Sequence, residues 1–130
     1  LIYNETDSVI GEESCLLINA SSISVEEGFH VCSKLGGVAY PAHIDRESNG
    51  IISILGLFPE YIGFTAYEMS SIDKADKLEK SNPCIQRLKR LVSSDAHYLY
   101  NINEAENSIE MSSNYETENE IRESLIEMVK

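Results

Sequence analysis

Positive charge is scarce in this sequence: 10 lysines and arginines stand against 22 aspartates and glutamates in 130 residues, a formal net charge of −12. A surface of that sign does not draw nucleic acid or anionic lipid through its overall field. A phosphate-bearing ligand must then be held locally, by a metal ion or a few placed cations. Long apolar runs are also missing, and the opening stretch "LIYNETDSVIGEES" lacks the basic and apolar regions of a secretory signal. The expected location is cytoplasmic, with no membrane partner. Cys15, Cys32 and Cys84 form no C-x-x-C pair, which speaks against zinc or redox work and for buried thiols. The sequons at Asn4 and Asn19 would matter only in a secreted protein.

What is present is ordinary for one globular unit, 42% hydrophobic and 25% charged residues, arranged as alternating strand-like and helix-like pieces without an internal repeat. "CLLIN" has strand length. In "SISVEEGFHVCSKLGG" Ser24 and Glu27 form a capping box, and Val25, Phe29, Cys32 and Leu35 share one helical face before two glycines. "VAYPAH" suits a buried strand that stops near Pro41, which places His43 just past its end. A short helix is expected through "NGIISILG", a strand through "IGFTAYEMS" ending at Glu68, a helix through "NPCIQRLKR" and a strand through "LVSSDAH". In "TENEIRESLIEMVK" Thr117 and Glu120 make a second capping box, and Ile121, Leu125, Met128 and Val129 an apolar stripe. The acid-rich run "NINEAENSIEMSSNYETENEIRESLIEM" reads as a solvated face. Strands separated by helices predict an α/β fold of mostly parallel β/α units.

Ligands of parallel α/β folds bind at the carboxyl ends of the strands, where loops converge. His43, Glu68, and Asp95 with His97 end three predicted strands. In an extended "SDAH" the side chains at Asp95 and His97 would project to one side. Two imidazoles and a carboxylate match catalytic zinc, manganese or iron sites, where the ion acidifies bound water. A lone histidine is more often a surface or hydrogen-bonded residue than a ligand, and His30, opposite the apolar face of its helix, is read as solvated. Glu68 is a metal-proximal group that could orient a histidine. Arg46 is the best placed cation for a substrate phosphate, with Asp45 its competing partner.

Together "GGVAYPAHIDR", "LGLFPE", "YEMS" and "SSDAHYL" resemble the PHP family, the polymerase and histidinol phosphatase domains. The resemblance implies a distorted (β/α)7 barrel that hydrolyses phosphoesters with up to three zinc, manganese or iron ions. His43, Asp95 and His97 match metal ligands, and Glu68 an acidic position beside them. Family members open with an H-x-H pair that this chain, with only His30, His43 and His97, does not contain. The 130 residues are therefore expected to be one unit, the C-terminal half of a PHP domain lacking its first strands, and inactive alone. The parent would be a metal-dependent phosphoesterase acting on a phosphorylated small molecule or nucleotide. A mononuclear hydrolase built on the three ligands is chemically allowed, and a non-catalytic structural or interaction module is the alternative. An incomplete barrel exposes a sheet edge, so self-association is expected.

Overall fold

A computed structural model of the chain describes residues 1–15, 20–111 and 114–130. The strand expected at "CLLIN" falls almost wholly outside the described residues, as does the sequon at Asn19. The chain opens on an unforeseen antiparallel hairpin, β1 (Ile2–Tyr3) and β2 (Val9–Gly11). Asn4 builds its turn. Its side-chain carbonyl accepts from the Thr6 and Ser8 N–H groups, both at 3.0 Å, and from the Thr6 hydroxyl at 2.8 Å.

The first helix, α1 (Val25–Lys34), starts on the expected capping box: Glu27 N–H donates to the Ser24 hydroxyl at 3.1 Å, and Ser24 N–H to the Glu27 carboxylate at 2.8 Å. Only Phe29 and Cys32 of its stripe are half-buried, while Val25 and Leu35 stay exposed. The short α2 (Ile51–Leu55) runs between glycines, and Gly56 closes it in the left-handed conformation at φ 78°.

At the centre, β3 (Ala66–Met69) pairs in parallel with β4 (Lys89–Val92), Ala66 opposite Lys89 through Met69 opposite Val92. The connection carries α3 (Ala75–Ser81) and a 3-10 turn, Pro83–Arg87. The helix expected at "NPCIQRLKR" is thus corrected: Pro83 opens one tight turn, Leu88 is already extended, and the α-helix lies earlier. On the other flank of β3, Glu68 N–H donates to Pro41 O at 3.0 Å and Ile44 N–H donates to Glu68 O at 2.9 Å. A regular parallel bridge spans two residues and this one spans three, so the "VAYPAH" strand is reduced to an irregular strip bulging around His43.

Ala66, Tyr67 and Met69 are almost fully buried, on both faces of β3, against Ile44, Phe58, Ile62, Phe64, Ala75 and Ile85. Phe64 meets the edges of Phe29 and Phe58, with ring centroids at 5.3 and 6.1 Å. The last helix, α4 (Glu118–Val129), begins on the Thr117–Glu120 capping box. Its C-terminal end docks on the core: Val129 is buried, the Thr65 hydroxyl donates to Val129 O at 2.9 Å, and the Lys89 ammonium donates to Met128 O. Ile121 and Leu125, expected to dock with it, are exposed. The fold is mixed α/β with small sheets, and the described residues close no barrel. No helix among them is long and apolar enough to cross a membrane.

Tyr67 ties this sheet to its crossover helix. Its hydroxyl donates to Glu79 Oε1 at 2.8 Å, and Arg90 of β4 donates to the same oxygen at 2.6 Å. Burial first, then the Glu79 carboxylate, push the phenol up to about 12. A raised folded-state value contributes stability that is complete below the unfolded value of about 10 and is lost as pH rises through about 12. Between those limits the wild type should lose roughly 2 kcal/mol more than Tyr67→Phe in urea unfolding. Parallel pH profiles of the two proteins would exclude this burial effect.

Candidate functional site at the strand ends

Past Pro41 the chain turns sharply, with Arg46 N–H donating to His43 O at 3.0 Å. A Cβ on Gly50 would lie 2.6 Å from Arg46 O and 3.2 Å from His43 O, so only glycine lets the loop fold back this tightly. His43 sits in this loop at φ 33°, and its buried Nδ1 finds no hydrogen-bond partner among the described residues. Left-handed backbone in a non-glycine residue costs free energy, and an orphaned buried nitrogen costs more.

Asp45 points inward, its side chain 1% exposed. It accepts from Ser70 N–H and the Ser70 hydroxyl, both at 2.7 Å, with the Lys74 ammonium 3.4 Å away. Burial pushes its carboxyl up, but the Ser70 hydrogen bonds and Lys74 outweigh this and leave it below the ordinary carboxylate range. Asp45 is therefore not the partner of Arg46, as the sequence had left open. Its role in clamping the loop to the end of β3 had no signal in the sequence, because Ser70 lies 25 positions away.

Arg46 instead crosses the end of β3 and pairs with Asp95 beyond β4, Nη1 to Oδ2 at 2.7 Å. The flanking segments stand about 10 Å apart, two strand spacings, a gap that a long guanidinium side chain can bridge. One N–H is committed to Asp95, and the guanidinium keeps further donors for a phosphate.

The expected extended "SDAH" is corrected. The strand β4 ends at Val92, Ser93 N–H adds one more ladder bond to Met69 O at 3.0 Å, and Asp95 is left-handed at φ 49°. Alternation along a strand thus does not set the relation of Asp95 to His97. The turn still brings His97 Nε2 to 3.8 Å from Asp95 Oδ1, close enough for attraction when the imidazole is protonated but longer than a hydrogen bond. The His97 ring is otherwise in solvent.

Glu68 contributes its backbone to the strip at Pro41–Ile44, while its half-buried side chain borders a polar cleft of about 550 Å³ with Tyr40, Arg90, Ser93 and Glu106. His43 borders a different, apolar cleft of about 400 Å³, beside Phe29, Ile51 and Leu55. His30 is exposed, edge-on to Phe29, as expected. Cys15 is exposed and Cys32 and Cys84 are half-buried, so fully buried thiols are not what the fold provides.

The structure thus joins Arg46, Asp95 and His97, places His43 in the turn that carries Arg46, and leaves Glu68 facing another cleft. Among the described residues no three histidine, cysteine, aspartate or glutamate side chains come together in a group that could hold a metal ion. The donors of this chain, as arranged, do not fit zinc, manganese or iron by themselves. No protein-family model, curated protein or solved structure gives a significant match to the chain.

Proposed function

We propose that this chain forms the strand-end corner of a metal-dependent phosphoesterase whose further metal-binding residues lie outside these 130, and that it is inactive alone. The observation that carries the reading is the backbone at His43 and Asp95. Both are non-glycine residues with positive φ, past the ends of the two segments that flank β3, and Arg46 links them. Strain of this kind persists where the surroundings impose it, and it concentrates at functional sites. The orphaned Nδ1 of His43 adds a donor atom in want of a partner. Arg46 suits a phosphoester because its fork matches phosphate oxygens. The PHP resemblance of "PAHIDR" and "SSDAHYL" supplies the reaction class and the C-terminal part of a (β/α)7 barrel as the architecture.

A second reading, a non-catalytic interaction module, is favoured by the Arg46–Asp95 pair, which uses a would-be ligand as a structural clamp. Phosphoester turnover with added manganese separates the two. The chain alone should show none. A longer protein containing it should hydrolyse a nitrophenyl phosphate and lose roughly a hundredfold or more in rate in His97→Ala and Asp95→Ala. Turnover by the 130 residues alone would overturn the proposal. So would a longer protein that is inactive, or active and indifferent to both changes; inactivity with metal bound would favour the module.

A further inference from the structure

Directly after His97 the chain presents an apolar and aromatic patch to solvent. Tyr98 is 64% exposed, Leu99 87%, Tyr100 81% and Ile102 61%, on and around a single 3-10 turn, Leu99–Asn101. The Tyr98 and Tyr100 rings lie parallel, 3° apart in plane with centroids at 5.3 Å. Such a pair offers a wide π face to a planar or cationic group. Large exposed aromatics side by side mark interaction surfaces more often than solitary ones do.

The charge around the patch says which partner fits. From Tyr98 to Glu120 the sequence holds six glutamates, at 104, 106, 110, 116, 118 and 120, and no lysine or arginine. Of these, Glu104, Glu106, Glu110, Glu116 and Glu118 are exposed and form no ion pair among the described residues. Glu104 is four residues beyond Tyr100, so it stands within about 14 Å of it along the chain. A second copy of this chain, also at −12, is repelled by this field, and so is a phosphate backbone.

We propose that the stacked Tyr98–Tyr100 face is a docking surface for an arginine-bearing segment of a protein partner. The guanidinium lies over the phenol rings, and the glutamates of the following run attract and orient the basic chain. Arginine suits the face better than lysine, because its planar, weakly hydrated cation stacks on aromatic rings. This surface stands on its own observations and does not depend on the phosphoesterase reading.

Titrating the 130-residue chain with an eight-residue peptide of alternating arginine and glycine tests the idea, with tyrosine fluorescence or NMR shifts as readout. Binding should weaken as salt rises past roughly 0.15 M, where the Debye length is about 8 Å. The doubly substituted Tyr98→Ala, Tyr100→Ala chain keeps every charge and should bind roughly tenfold more weakly, the scale of one or two cation–π contacts. The Phe double variant should retain binding. A peptide of lysine and glycine should bind less well than the arginine one. Equal affinity of wild type and the alanine variant would reduce the effect to unspecific attraction by the glutamates and overturn the proposal. So would no binding at low salt, or a dimer of the wild type that the alanine variant abolishes.

Discussion

Asp45→Ala should lower stability by roughly 2–4 kcal/mol, with a fall in Tm of roughly 10 °C. The carboxylate is almost wholly buried and accepts two short bonds from Ser70, so its removal strands an N–H and a hydroxyl and frees Lys74 of its partner. Asp45→Asn keeps one acceptor oxygen and should recover part of the loss. The effect has a pH signature. A folded-state value below the ordinary carboxylate range gives stability that is present above about pH 4 and is lost as pH falls through the folded value. The gap between wild type and Asp45→Ala should therefore be constant near neutrality and close under acid conditions. A gap that persists unchanged into strong acid would mean that the charge of Asp45 contributes nothing. Since Asp45 clamps the loop that carries His43 and Arg46, the same variant should broaden the NMR signals of both.

Ile85→Ala should cost about 3 kcal/mol, a large share of the 5–15 kcal/mol available to a domain of this size. Ile85 is fully buried in the 3-10 turn that feeds β4, and its side chain fills the core beneath Tyr67 and Met69. Leu35→Ala, at a position 82% exposed, should change stability by less than about 0.5 kcal/mol, although Leu35 belongs to the apolar stripe of α1. Urea denaturation of the two variants checks the contrast. Comparable losses would mean that Leu35 is covered in solution.

That contrast marks how far local pattern reaches. The two capping boxes were legible because a serine or threonine and a glutamate three residues on satisfy each other's backbone within one turn, whatever surrounds them. The short α2 before Gly56 and a strand within "IGFTAYEMS" were legible too, although the strand spans only Ala66–Met69. The apolar stripes of α1 and α4 were legible as stripes only. Whether a stripe is buried depends on another element arriving against it, and among the described residues Phe29 packs on the core and Val129 is buried while Val25, Leu35, Ile121 and Leu125 stay exposed.

The candidate site divides along the same line. The sequence by itself determined the residue types, the mixed α/β character, and the position of His43 just past a strand-like run. It also determined the negative field, which follows from composition alone. Only the tertiary structure decided which partner each group takes. Arg46 binds Asp95 and not its neighbour Asp45, because the parallel pairing of β3 with β4 brings position 95 within reach while the turn at Gly50 sends Asp45 inward to Ser70. Glu68 and His43 border different clefts because one irregular bridge at Pro41–Ile44 shifts the register of the strip. Contacts between residues 25 to 50 positions apart are set by strand register and loop closure, and neither leaves a mark in the spacing of residues along the chain.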